Sequence, residues 1–90
     1  MNFTVVWKPD AEDQLAQIWL DAEHRDAVSA AANHIERALR TTPLTLGESR
    51  NEQTRVVVVP PLAVHFEVRN EDRIVFVLTV HQFSPSSKGE

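Results

Sequence analysis

Two short segments of the chain combine residue types that can carry out proton-transfer chemistry. Glu48 and Arg50 stand where a helical segment gives way to a valine-rich one, and His65, Glu67 and His81 lie in alternating segments further along. Histidines and carboxylates can transfer protons, and an arginine can bind a phosphate or stabilise developing negative charge. These side-chain types allow general acid–base catalysis on an anionic substrate, although each type is also common on solvent-exposed surfaces.

Arg50 is the strongest functional candidate that the residues alone provide. An exposed ion pair between Glu48 and Arg50 would contribute little to stability. Stability therefore does not explain why the two charges stand together beside a strand.

Length and composition indicate a small globular protein. The chain has 90 residues, of which 42% are hydrophobic and 24% charged, and it contains no cysteine. A chain of this length carries a single core, so we predict one domain over residues 1–90, with a polar, disordered tail over 84–90. The N-terminal residues lack the features of a signal peptide, and no apolar run approaches the roughly 20 residues of a membrane span. We therefore predict a cytoplasmic protein with no membrane partner.

The charge distribution does not favour strong nucleic-acid binding. The formal net charge is −4, and residues 10–26 contain six acids against one base. A nucleic-acid binder usually presents a basic stripe, and this chain has at most a short one over residues 37–55. A basic partner protein fits the charge at least as well.

Hydrophobic periodicity predicts a strand and two helices in the first half. Residues 2–7 alternate as in a half-buried strand, and Pro9 suits the first turn of a helix. The polar residues 20–26 predict a turn between the helices, with Asp21 or a neighbour capping the second helix. That helix should end at residues 41–43. Its predicted apolar face comprises Ala27, Ala30, Ala31, Ile35, Ala38 and Leu39.

The second half is predicted to form three strands. Residues 55–59 form a β-branched run that suits a central strand covered on both faces. The last two strands should form a hairpin with Val68 opposite Ile74, since that register places both apolar sets on one face and leaves residues 70–72 as the loop. The residues predicted to face the helices are Leu62, Val64, Phe66, Ile74, Phe76, Leu78 and Val80. The residues predicted on the uncovered face are Ala63, His65, Glu67, Arg73, Thr79 and His81.

These elements predict an α+β fold, with the helices packed on one face of a mostly antiparallel sheet. In the predicted register His65 lies opposite Val77 and His81 opposite Pro61, on the order of 14 Å apart. A metal ion holds its ligands at about 2 Å, so the two histidines are not expected to share one. Two glycines cannot build a glycine-rich phosphate loop. We predict neither a metal nor a cofactor.

The order of elements resembles the RelE/ParE superfamily, the toxins of type II toxin–antitoxin systems that are also called plasmid-stabilisation proteins. The segments VVWKPDAEDQLAQIW, HIERALRTTPLTLGESR and PPLAVHFEVRNEDRIVFVLTVH carry the resemblance, which extends from about residue 3 to residue 83. It implies a cognate antitoxin as the partner, a partly disordered chain that folds on binding. The antitoxin would contact whatever the sheet leaves open of Ile18, Trp19, Val28 and Leu39.

The resemblance leaves the activity open. Members that resemble RelE cleave mRNA on the ribosome with lysines, arginines and a C-terminal tyrosine, whereas this chain has no tyrosine and has Ala63 and Phe83 at two arginine positions. Members that resemble YoeB use a glutamate, an arginine and a terminal histidine, which correspond to Glu48, to Arg50 as a substitute, and to His81. ParE-like members instead poison DNA gyrase, and a third alternative is a non-toxic member that only binds its antitoxin.

Residue chemistry and resemblance together predict a toxin, with mRNA endoribonuclease activity as the first interpretation and gyrase inhibition or inert antitoxin binding as the alternatives. The predicted catalytic residues are Glu48, Arg50, Arg55 and His81. The predicted substrate-binding residues are Arg50, His65 and Arg73.

Overall fold

The computed structural model describes residues 2–51 and 53–83, so the predicted tail over 84–90 lies outside the described residues. The elements are β1 (Thr4–Trp7), α1 (Pro9–Asp21), α2 (Arg25–Thr41), β2 (Glu48–Ser49), β3 (Thr54–Val59), β4 (Leu62–Arg69) and β5 (Ile74–Gln82). The predicted α+β class and the order of the longer elements are confirmed, whereas the two-residue strand β2 was not predicted. Among the described helices, none has the length and apolar character needed to cross a membrane.

The five strands form one mixed sheet in the order β1-β5-β4-β3-β2. Strand β1 pairs in parallel with β5, and every other neighbouring pair is antiparallel. Because β1 and β2 lie at opposite edges, the two helices carry the chain from one edge of the sheet to the other. Both helices pack on the same face, and no helix of the described residues covers the second face.

The hydrophobic core lies between the helices and the covered face of the sheet. Its buried members are Phe3, Ala11, Val28, Ala31, Ile35, Leu39, Val57, Leu62, Val64, Phe66, Val68, Val75, Val77 and Val80. The stripe of α2 that faces the sheet therefore begins at Val28, while Ala27 and Ala30 of the predicted face are exposed. Alanine side chains contribute little buried area, so the larger side chains determine which side of the helix turns inward.

The turn between the helices is stabilised differently from the prediction. Helix α1 continues to Asp21, and His24 occupies the cap position of α2 without a side-chain hydrogen bond, so the predicted cap was wrong. Instead, Arg25 donates hydrogen bonds of 3.1 Å to the carbonyl oxygens of Trp19 and Leu20. Arg25 thereby satisfies carbonyl groups that lack partners at the end of α1.

The register of the β4–β5 hairpin differs from the prediction by one residue near the turn. Val68 pairs with Val75 rather than with Ile74, which pairs with Arg69. The connecting turn covers residues 70–73 and ends with Arg73 in the left-handed region at φ 55°. This slip brings valines of β5 into the core in place of the predicted residues. Ile74, Phe76 and Leu78, which were predicted to face the helices, are not part of the core.

A β-bulge then restores the predicted orientation of the side chains in the second half of β5. Phe66 pairs with Val77 and His65 pairs with Thr79, so Leu78 is an extra residue on β5. One extra residue reverses the alternation of the strand beyond it. Residues 74–78 are all apolar, so hydrophobic alternation does not define the register there.

The edge of β5 beyond its pairing with β1 is covered by α1. Strand β1 pairs only with residues 74–77 of β5. Further along, the backbone N–H of Val80 donates a 2.7 Å hydrogen bond to the side-chain oxygen of Gln14, in partly buried surroundings. A glutamine side chain thus takes the place of a strand partner at this sheet edge.

Replacing Gln14 by methionine should destabilise the protein. Gln14→Met keeps the length of the side chain but leaves the N–H of Val80 without its acceptor, which should lower the free energy of unfolding by about 1–3 kcal/mol. Urea unfolding followed by circular dichroism measures the change. The control is Gln17→Met, which removes only an exposed bond to Asp21 and should change stability by less than about 0.5 kcal/mol. Equal effects of the two variants would contradict the role of Gln14.

Candidate functional site

The face of the sheet opposite α1 and α2, here called the open face, carries both histidines of the C-terminal half. Ala63, His65 and Glu67 alternate with the buried residues of β4, and His65 and Ala63 pair with Thr79 and His81 of β5. His65 is half-buried and His81 is exposed. The predicted open-face position is confirmed for these five residues.

The two histidines are direct neighbours rather than distant residues. Their ring centroids lie 6.0 Å apart with an angle of 88° between the ring planes. The predicted separation of 14 Å was wrong because the slip at the turn and the bulge at Leu78 each shift β5 by one residue, which together place His81 opposite Ala63 instead of Pro61. Among residues 2–51 and 53–83, no group of three or more histidine, cysteine, aspartate or glutamate residues is arranged to hold a metal ion.

The orientation of the His65 ring is set by a contact with Thr79. The hydroxyl oxygen of Thr79 lies 3.2 Å from Nδ1 of His65. A ring nitrogen engaged in this way leaves Nε2 as the atom that can exchange a proton with another group. Two adjacent imidazoles can supply one proton acceptor and one proton donor, which is the requirement of general acid–base catalysis.

Glu48 and Arg50 lie at the edge of the same open face. Glu48 pairs with Val56 of β3, and Val56 pairs with His65 of β4, so the three residues form a row across the sheet. With strands about 4.8 Å apart, the Cα atoms of Glu48 and His65 are separated by roughly 10 Å. The side chains of Glu48 and Arg50 are 82% and 57% exposed, and their closest charged atoms are 4.0 Å apart. The charged segment is thus an exposed edge strand that borders the face with the histidines.

The position of β2 depends on Gly47. This residue has φ 70°, and a Cβ atom added there would collide with the carbonyl oxygen of Val56. Only glycine combines this left-handed conformation with so close an approach to a neighbouring strand. Gly47 therefore lets the chain run against β3 and bring Glu48 onto the open face.

Arg55, one of the predicted catalytic residues, lies apart from the open face. It pairs with the buried residue Phe66, so it belongs to the side of the sheet that faces the helices. Its Nε and Nη2 atoms donate hydrogen bonds to the carbonyl oxygens of Leu46 and Gly47 at 2.8 Å and 3.0 Å. Arg55 thereby fixes the loop that leads into β2.

Arg73 is also absent from the open face, where it was predicted. Its Cζ atom lies 4.9 Å from the ring centroid of Phe3, a core residue. It lines a cavity with residues 41–45, which comprise the last residue of α2 and the four residues after it. The left-handed backbone at the end of the hairpin turn directs Arg73 away from the histidines, so the structure does not bring it together with His65.

Three residues of the open face were missed because the predicted register placed Phe76 inside the core. Phe76 pairs with Glu67, and its ring centroid lies 5.2 Å from Nζ of Lys8 and 5.8 Å from Cζ of Arg69. Arg69 donates a 2.6 Å hydrogen bond to Glu67. This bond raises the pKa of Arg69 above its usual value.

Solved structures of toxin–antitoxin proteins share this fold. A chain of the RelBE2 toxin–antitoxin complex from Mycobacterium tuberculosis matches with a TM-score of 0.73 at 20% identity, covering 91% of this chain and 99% of that one. A chain of the chromosomal ParDE system from Pseudomonas aeruginosa matches with a TM-score of 0.70 at 14% identity, over 91% and 97% of the two chains. The toxin RelE of Escherichia coli matches with a TM-score of 0.70 at 12% identity, over 96% and 88%.

The chain has a RelE/ParE fold. No protein-family model and no curated protein sequence matches it significantly. Four of the predicted site residues meet on the open face or at its edge: His65, His81, Glu48 and Arg50. Arg55 and Arg73 lie on the helix-facing side, apart from this group.

The two arginines near β2 should differ in their effect on stability. Arg55→Met removes two hydrogen bonds to the loop before β2 and should lower the free energy of unfolding by about 1–3 kcal/mol. Arg50→Met removes only an exposed ion pair and should change stability by less than about 1 kcal/mol. Thermal unfolding of both variants beside the unmodified protein measures the difference. A larger loss for Arg50→Met than for Arg55→Met would contradict this assignment.

Proposed function

We propose that this RelE/ParE-fold protein is the toxin of a type II toxin–antitoxin pair and that it cleaves RNA on its open face by general acid–base catalysis. The supporting observation is the pair formed by His65 and His81, whose ring centroids are 6.0 Å apart on a face without a covering helix. Their proximity provides both a proton acceptor and a proton donor within reach of one phosphodiester.

The chemistry requires two proton transfers at one phosphorus atom. One imidazole takes the proton of the ribose 2′-hydroxyl as its oxygen forms a bond to phosphorus. The other imidazole donates a proton to the 5′-oxygen as the bond between that oxygen and phosphorus breaks. The products are a 2′,3′-cyclic phosphate and a 5′-hydroxyl. The two imidazoles supply both proton transfers, so the reaction needs no metal or cofactor.

Arg50 is assigned to the binding of the RNA strand at the edge of the open face, beside Glu48. Arg50 is more than half exposed and bound only weakly by Glu48 at 4.0 Å, so a phosphate can compete for its guanidinium group. Arg55 is assigned a positioning role, because it holds the loop before β2 from the helix side.

The proposed partner is an antitoxin that contacts the helical side. The matched proteins from Mycobacterium tuberculosis and Pseudomonas aeruginosa are parts of toxin–antitoxin systems. Of the apolar helix residues considered from the sequence, Val28 and Leu39 are buried and Ile18 is half-buried. Trp19 is 39% exposed, and Leu20 beside it is 56% exposed. These two side chains are the proposed anchor points for the partner.

Gyrase inhibition is the second candidate function. Arg55 and Arg73 lie on the helix side, so the open face has two fewer cations for binding RNA than the sequence predicted. This observation favours a function other than RNA cleavage. The P. aeruginosa ParDE chain also matches with a TM-score of 0.70, close to the values of the RelE-type structures. DNA damage after induction, with intact transcripts, would support this function over RNA cleavage.

Substitution of His81 should abolish toxicity. Induced in bacteria without an antitoxin, the unmodified protein should arrest growth and yield cleaved transcripts with 5′-hydroxyl ends. His81→Ala should reduce RNA cleavage by about 10²–10⁴-fold, the usual contribution of a general acid or base, and growth should continue. The matched control is His34→Ala, an exposed histidine of α2, which should remain as toxic as the unmodified protein. Cleavage by His81→Ala at the unmodified rate would contradict the proposed chemistry.

A further inference from the structure

We infer that Phe76, Lys8 and Arg69 form a binding subsite for single-stranded RNA beside the histidine pair, with a base stacked on the Phe76 ring and phosphates bound by the two cations. The inference rests on the proposed function, because it gives the RNA strand a second contact on the same face. None of these three residues belongs to the proton-transfer chemistry described above.

Phe76 lies on the open face, one strand in from the edge formed by β1. It pairs with Val6 of β1 on one side and with Glu67 of β4 on the other. Its side chain is half-buried and does not belong to the hydrophobic core. A large aromatic side chain on an uncovered sheet face loses contact with water when a planar apolar partner covers it, and a nucleobase is such a partner.

The two cations reach the Phe76 ring from different strands and from opposite directions. Lys8 follows β1, where its backbone N–H bonds to the carbonyl oxygen of Val77, beyond Phe76 along β5. Arg69 ends β4 and pairs with Ile74, before Phe76 along β5. Their charged atoms lie 5.2 Å and 5.8 Å from the ring centroid. Both cations lie over the ring, so a base that stacks there would take their place while the two side chains turn to the phosphates on either side of that base.

The ion pair between Arg69 and Glu67 does not prevent phosphate binding. The Arg69 side chain is about half exposed, and exposed ion pairs contribute only about 0–1 kcal/mol. A phosphate with its own hydrogen-bond acceptors can therefore replace Glu67 as the partner of the guanidinium group.

The subsite lies next to the proposed reaction centre. Phe76 is opposite Glu67, and His65 lies two positions from Glu67 on the same strand and face. Two residues of a strand span about 7 Å, which is within the reach of neighbouring nucleotides. A base on Phe76 would therefore place an adjacent phosphate near the imidazoles, so the subsite would also orient the substrate for cleavage.

A binding measurement on an uncleavable complex tests the subsite. The double variant His65→Ala/His81→Ala is titrated into a fluorescein-labelled single-stranded oligouridylate, with fluorescence anisotropy as the readout. Adding Phe76→Leu should raise the dissociation constant by about 5- to 150-fold, the usual range for loss of one stacked base. Phe76→Trp should retain the affinity of the parent, since its ring also stacks. Lys8→Gln should weaken binding and lower the salt dependence by about one phosphate contact.

The control is His34→Ala, an exposed residue of α2 on the helical side of the protein, which should bind the oligonucleotide like the parent. If Phe76→Leu binds like the parent, or if the parent does not bind, the subsite is wrong, even where the unmodified protein cleaves RNA. If the parent binds through Phe76 but the unmodified protein cleaves no RNA, the subsite stands and the proposed cleavage fails. Loss of antitoxin binding in Phe76→Leu with unchanged RNA affinity would assign the surface to a protein partner and overturn the inference.

Discussion

The extra residue Leu78 in β5 determines which side chains of the last strand meet the helices and which meet solvent. Before it, Val75 and Val77 fill the core, and beyond it Thr79 and His81 appear on the open face. In a strand without a bulge, side chains alternate strictly between the two faces, so residues 75, 77, 79 and 81 would all lie on the same face. The contact between the two histidines therefore depends on one irregularity of the backbone.

A second constraint acts at the opposite edge of the sheet. Gly47 allows a close approach of the chain to Val56, and Arg55 holds the preceding loop through two backbone carbonyl groups. Neither residue contributes a side chain to the open face, yet both determine where Glu48 and Arg50 lie. The site thus combines residues from a long central hairpin with residues from a two-residue strand that depends on its neighbours for its position.

The parts of the fold that were predicted correctly are those with a single strong signal. Pro9 marked the start of α1, the Thr–Pro segment marked the end of α2, and alternation identified the buried face of β4. The register of β5 was not predictable in this way, because five consecutive apolar residues satisfy either facing. The error placed Phe76 in the core and separated the histidines, so the main feature of the site was missed although both histidines were assigned to the correct face. Arg55 and Arg73 were misplaced for a related reason, since the sequence does not show which carbonyl groups or rings an arginine side chain will reach.

The pairing of β1 with β5 has a consequence for synthesis of the protein. Thr4 pairs with Ile74, seventy positions later, and β5 lies between β1 and β4 in the sheet. Strand β1 cannot form these contacts until the ribosome has synthesised β5. The last central strand also carries His81, so a nascent polypeptide has neither a closed sheet nor paired imidazoles. The two imidazoles become neighbours only once β5 has been inserted between β1 and β4.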